Sequence, residues 1–191
     1  MKLQYFNIIS KINYIFYYKI FNNILNYIIQ RFYNLFFFIA KKNLLTFINI
    51  FKNNSLFQFN TLLEGTAIDF IEKKKRFTLK YFFLSTFFNI RSTLTLKLKE
   101  FSFILSLKTF YYSSKPIERE IWDMFGIYFF GNWGLKRILT DYGFLGKPLR
   151  KDFPVIGFVE LIFDDSNKTI KFESIQLIQK FRSFEFNNPW S

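Results

Sequence analysis

The sequence predicts an α+β fold: a small mixed domain with an antiparallel-rich sheet and flanking helices, a long N-terminal amphipathic helix and an extended C-terminal tail. Three observations carry this. Polar and apolar positions recur every three or four residues through Lys52, apolar residues alternate singly between Thr66 and Lys99, and Gly and Pro crowd the stretch after Pro116. The limits that follow are a helical extension over 1–43, the α+β domain over 44–126, and a Gly/Pro-punctuated tail over 127–191. The tail is expected to contain a short β-hairpin and to dock on a partner.

The N-terminal helix rests on Asn22, Asn26, Gln30 and Asn34, which fall four apart and form one polar stripe within Ile20–Ala40. With Asn23 and Arg31 added, that window holds too many polar groups to insert in a bilayer, so no transmembrane span is expected. The first 63 residues contain no Asp or Glu and seven basic residues. An acid-free leader resembles a transit peptide, but its single arginine, Arg31, and its wealth of Tyr and Phe argue otherwise.

Leu44–Lys52 continues as a shorter helix. Thr66, Ile68 and Phe70 then alternate with Ala67 and Asp69, which argues for a strand. Phe77, Leu79, Tyr81 and Phe83 share one strand face, and Leu94, Leu96 and Leu98 share another. The polar interruption Asn89-Ile90-Arg91 makes these two runs an antiparallel hairpin. Phe101–Tyr112 suits a helix lying across the sheet.

Composition restricts the chemistry. The chain has 31 Phe but two Ala and two Val, a bias towards residues that AT-rich codons encode. With no Cys and no His it lacks the ligands of iron–sulfur clusters, structural zinc and covalent haem, and most imidazole bases. No catalytic, cofactor-binding or metal-binding residue is therefore assigned. A formal charge of +13 with 24% aromatic residues invites a nucleic-acid reading. The basic residues are scattered, however, apart from Lys73-Lys74-Lys75-Arg76, which reads as a solvated turn; no nucleic-acid partner is expected.

Under such codon bias, a segment that keeps Gly, Pro and Trp needs their properties. Residues 116–157 hold 6 of the 7 Gly, three of the 4 Pro and two of the 3 Trp. Pro116 opens and Gly126 closes a short helix in which Ile117, Ile121, Met124 and Phe125 share a face. Glu118, Glu120 and Asp123 point elsewhere, with Arg119 four residues before Asp123 to neutralise it. These carboxylates suit solvation or partner contact better than catalysis, because no nucleophile accompanies them. Beyond them, Gly131, Gly134, Gly143, Gly146, Pro148 and Pro154 force an extended, turning course. Such a run lies across another surface, anchored by Trp133, Tyr142, Phe144 and Phe153, with Arg137, Arg150 and Asp152 paired; the alternative is an ordered loop on its own domain.

Glu118-Arg119-Glu120-Ile121-Trp122-Asp123-Met124-Phe125-Gly126, Arg137-Ile138-Leu139-Thr140-Asp141-Tyr142-Gly143-Phe144 and Pro148-Leu149-Arg150-Lys151-Asp152-Phe153-Pro154 resemble the signature of the 30-kDa subunit family of respiratory complex I, the mitochondrial NADH dehydrogenase subunit 9 type. The resemblance continues through Gly157, Val159-Glu160 and the closing Phe186-Asn187-Asn188-Pro189-Trp190, with weaker similarity back to Leu44. It implies a non-catalytic structural subunit of the peripheral arm, in the quinone-reducing module on the matrix side of the mitochondrial inner membrane. The chain would be mitochondrially encoded and part of a hetero-oligomer, beside the 49-kDa subunit. NADH, FMN, iron–sulfur clusters and ubiquinone would belong to neighbouring subunits, with none bound here. The matching positions make Glu118, Arg119, Glu120, Trp122, Asp123, Arg137, Asp141, Tyr142, Arg150, Lys151, Asp152 and Phe153 the candidate partner contacts. Two departures stand out: Asn132-Trp133-Gly134 replaces a turn commonly of His-Pro-Asp type, and the first 43 residues resemble nothing in the family.

Overall fold

The structure, a computed structural model, describes residues 25–31, 34–55, 57–182 and 190, and the chain divides into two units, Met1–Asp152 and Phe153–Ser191. In the first unit, strands β1 (Leu25–Arg31) and β2 (Asn34–Ile39) lead through a 3-10 turn, Lys41–Asn43, into helix α1 (Leu44–Asn53). Strands β3 (Thr61–Asp69), β4 (Phe77–Ser85) and β5 (Ile90–Leu98) follow, then β6 (Phe103–Leu105), helix α2 (Ser114–Phe125) and β7 (Tyr128–Phe130). The second unit contains one hairpin, β8 (Val159–Asp164) and β9 (Thr169–Ser174).

The main sheet runs β1-β2-β5-β4-β3 and is antiparallel except where β2 meets β5. Alternation builds its core. Phe77, Leu79, Tyr81 and Phe83 of β4 and Leu94, Leu96 and Leu98 of β5 are sealed from solvent, as the sequence predicts, and the two strands form the expected antiparallel hairpin. The turn falls one step earlier than expected. Asn89 takes a left-handed φ of 52° and Ile90 and Arg91 already belong to β5.

Helix α1 buries Leu44, Phe47, Ile48 and Phe51, the three-and-four spacing of a core-facing helix. Phe51 stacks on Phe59 with ring centroids 4.0 Å apart and meets Phe37 and Phe83 edge-on at 5.3 and 5.4 Å. These rings are the side chains that the composition supplies in excess, used as core filling.

Two helical expectations are corrected. The amphipathic helix predicted through Ala40 is replaced over its described part by β1 and β2, while residues 1–24 lie outside the described residues. A spacing of four satisfies a two-residue repeat as well as a 3.6-residue one, so the Asn/Gln stripe does not discriminate between them. Aromatic and β-branched content decides for strand, and β2 buries Leu35, Phe37 and Ile39 in strict alternation. Phe101–Tyr112 is likewise not a helix. Ile104 is buried between exposed Phe103 and Leu105 in β6, which pairs parallel with β7, and turns follow.

Helix α2 has the predicted punctuation: Pro116 stands in its first turn and Gly126 ends it in the left-handed region at φ 78°. It packs across β3, where Gly65 admits it. A Cβ at residue 65 would lie 2.8 Å from Ile117 Cγ2 and 3.0 Å from the Tyr81 ring. We therefore expect Gly65→Val to destabilise the chain by about 1–3 kcal/mol in chemical denaturation, the usual cost of overpacking; unchanged stability would mean that α2 does not approach β3 this closely.

Candidate functional site

Helix α2 carries two carboxylates that are fully buried. The charged face expected to meet solvent or a partner is therefore corrected: of Glu118, Glu120 and Asp123, only Glu120 is exposed. Burying a charge is costly unless donors surround it, and each of the two has such a set.

Glu118 accepts from Ser106 Oγ at 2.6 Å, the Leu107 N–H at 2.8 Å and Asn132 Nδ2 at 2.9 Å. Burial pushes its carboxyl pKa up, against the pull of those donors. The carboxylate thereby ties the chain after β6 to the chain after β7. Asn132 is a buried member of this set and also donates to Lys115 O.

Asp123 organises the segment beyond. Its Oδ2 accepts the backbone N–H groups of Ile138, Leu139 and Thr140 at 3.1, 3.0 and 3.0 Å. Its Oδ1 takes Thr140 Oγ1 at 2.7 Å and Arg137 Nη1 at 3.0 Å. Burial alone would raise its pKa, but the Thr140 hydroxyl and the three N–H groups outweigh burial and hold it at about 2. Arg119 does not neutralise it. That guanidinium donates instead to the carbonyls of Lys136 and Arg137, at 3.0 and 3.4 Å.

Held there, residues 137–150 fold back over the C-terminal end of α2, whose carbonyls need donors. Lys147 Nζ donates to Trp122 O at 2.9 Å, the Leu149 N–H to Met124 O at 3.2 Å, and Arg150 Nε to Phe125 O at 2.6 Å. Lys147 also lies 4.2 Å above the Trp122 ring. Burial, with the charge of Arg137 beside it, lowers its pKa to about 8.

A charge network continues to the edge of the sheet. Arg76 grips Asp69 with two hydrogen bonds of 2.8 Å, Glu100 at 2.7 Å and Asp152 at 2.9 Å. Arg150 joins it through Glu100 at 3.2 Å, and the Lys151 N–H donates to Asp69 at 3.0 Å. Arg76 holds the Asp69 pKa below the ordinary carboxylate range, and Asp69 in turn raises that of Arg76.

The sequence-predicted contact residues thus divide. Glu118, Asp123, Arg137, Arg150 and Asp152 bond within the chain, and Arg119 and Trp122 are partly covered by it. Glu120, Asp141, Tyr142 and Lys151 face outward, with Tyr142 97% exposed. Phe153, in the second unit, meets Phe158 edge-on at 5.4 Å. Sequence reasoning missed Ser106, Asn132, Thr140, Lys147, Asp69, Arg76 and Glu100. Asp69 and Arg76 carried a signal, opposite charges bracketing a short turn between strands; the others carried none. Among the described residues no group of three or more Asp or Glu is placed to hold a metal ion, and no helix is long and apolar enough to cross a membrane.

A family profile described as respiratory-chain NADH dehydrogenase, 30 Kd subunit, matches residues 37–159. The chain is 42% identical over 152 residues to a subunit of the NADH-quinone oxidoreductase of Ruegeria pomeroyi, covering 80% of this chain and 76% of that one. It is 43% identical over 148 residues to NADH-ubiquinone oxidoreductase subunit 9 of Reclinomonas americana, covering 78% and 72%. A chain of the membrane-bound sulfane sulfur reductase, an archaeal respiratory membrane complex, shares the fold with a TM-score of 0.60 at 24% identity, over 69% of this chain and 79% of that one.

The Asp123 arrangement predicts a pH dependence. Its folded pKa lies below the ordinary 3.8, so its stabilisation is complete above that value and is lost as pH falls towards about 2. The loss corresponds to about 2–3 kcal/mol. Asp123→Asn should remove that part of the acid limb and weaken the fold at neutral pH; identical acid unfolding curves for the two proteins would refute the assignment.

Proposed function

The chain belongs to the 30-kDa subunit family of respiratory-chain NADH dehydrogenase, and from that premise we propose that it is a non-catalytic structural subunit of the peripheral arm of mitochondrial complex I. Its C-terminal tail docks on the neighbouring 49-kDa subunit and fixes the geometry of the quinone-reducing module. NADH, FMN, the iron–sulfur clusters and ubiquinone are held by other subunits, and electron transfer depends on this chain through position alone. A mitochondrial setting on the matrix side is supported by the similarity to the Reclinomonas subunit 9 and by the AT-driven composition.

One observation carries the docking reading: no described residue of Phe153–Ser191 is buried. In the hairpin, Val159, Leu161, Phe163, Ile170 and Phe172 are each at least half exposed, and the register places Leu161 opposite Phe172 and Phe163 opposite Ile170. They form one apolar face. The other carries Glu160, Asp164, Lys171 and Glu173 beside Ile162 and Thr169, and there Lys171 pairs with Glu173 at 2.6 Å and with Asp164 at 3.7 Å. An isolated two-stranded hairpin with its apolar face in water is at best marginally stable, so such a segment requires a second surface.

The test is a Leu161→Ser/Phe172→Ser variant, followed by native-gel fractionation of respiratory membranes and in-gel NADH oxidation. The wild-type chain should be found in the NADH-oxidising band. The variant, folded by circular dichroism, should be depleted from it by at least tenfold, since two buried apolar side chains contribute about 3–5 kcal/mol. Absence of the wild-type chain from that band would overturn the subunit assignment; full incorporation of the variant would overturn the docking face.

A further inference from the structure

The pair β2–β5 is the only parallel one in the five-stranded sheet, and both strands end on the same side. Their connections diverge there, β2 into the turn at Lys41 and β5 towards Ser102. A cleft of about 410 Å³ opens between them, with Lys41, Lys75, Lys97 and Lys99 on its lining and Phe38 and Leu98 as apolar walls.

Among the described residues no carboxylate pairs with the lysines of this cleft, whereas Arg76, Arg137 and Arg150 each meet one. Lys41 lies over the Phe103 ring at 4.0 Å, a contact that leaves its charge intact. The N-terminal segment cannot supply a counter-charge either, because the first 63 residues include no Asp or Glu. Four like charges around one concavity repel one another and raise the local concentration of anions.

We propose that this cleft binds a phosphate-bearing anion, gripped by Lys41, Lys75, Lys97 and Lys99 at the carboxyl ends of β2 and β5. Lysine acts towards phosphate as a mobile point charge, and a phosphate offers several acceptor oxygens and more than one charge, where a single carboxylate would leave most of the cleft unneutralised. The apolar walls accommodate the carbon part of a phosphate ester.

The test uses the purified full-length chain. Inorganic pyrophosphate should bind with saturable one-site calorimetry, and Lys97→Gln/Lys99→Gln should weaken it by roughly tenfold or more, the loss expected when charged hydrogen bonds are removed. Lys168→Gln/Lys180→Gln, with equal charge removed from the tail, should change it by less than about twofold, and circular dichroism should show both variants folded. A second arm sediments the chain with vesicles of phosphatidylglycerol in phosphatidylcholine. Retention that depends on Lys97 and Lys99 and is displaced by pyrophosphate assigns the cleft to a lipid headgroup, and calorimetric binding with no retention assigns it to a soluble ligand. No saturable binding in either arm, or equal losses in the two double variants, would overturn the proposal.

Discussion

Asp123 is a carboxylate whose side chain is removed from water by its own chain, and the course of residues 137–152 follows from that. Desolvating such a group costs several kcal/mol, which only a full set of donors can offset. The donors arrive from beyond the helix: one guanidinium, one hydroxyl and three consecutive backbone N–H groups. Those N–H groups belong to a stretch without helix or sheet partners of its own, so the contact also relieves a deficit on their side. From this anchor the chain reaches the end of α2, where Lys147, Leu149 and Arg150 satisfy its carbonyls, and then the sheet edge, where Asp69, Arg76 and Glu100 receive Arg150, Lys151 and Asp152.

The two halves of the Gly/Pro-rich region therefore differ in physical kind. Up to Asp152 the segment is held on its own domain, by Ile127, Phe129 and Leu135 at the core and by polar contacts beyond, and Arg137 and Arg150 meet carboxylates inside the chain. From Phe153 onward no described residue is buried, and the apolar face of the hairpin is left open. A single expectation of a tail laid on a partner merges these two behaviours. The first half is a brace that shapes the domain's own surface, from which Tyr142, Asp141 and Glu120 project; the second is the part proposed to meet a foreign surface.

Much of this was legible in the residues. Alternation located β4 and β5 and the face each buries, three-and-four spacing located α1, and Pro116 with Gly126 bounded α2. The failures have physical causes. The Asn22 to Asn34 stripe has a spacing common to helix and strand, so it does not show that Asn34–Ile39 pairs with β5, far along the chain, and Leu25–Arg31 with β2. Phe101–Tyr112 reads as amphipathic, yet Phe103–Leu105 pairs in parallel with Tyr128–Phe130, a partner that lies beyond the next helix. Glu118 and Asp123 look like surface carboxylates because their donors arise 11 to 17 residues away, in segments whose course no local rule predicts. The motif resemblance marked these residues as important without saying to which partners they bond.

Amide hydrogen exchange, measured on the chain alone and on the same chain within the assembled complex, tests the central distinction most directly. Slow exchange is expected at Ile138, Leu139, Thr140 and Leu149 in both states, and across Val159–Ser174 only in the complex. Equal protection of Val159–Ser174 in the chain alone, or protection of residues 138–149 only after assembly, would contradict the division into an internal brace and a docking hairpin.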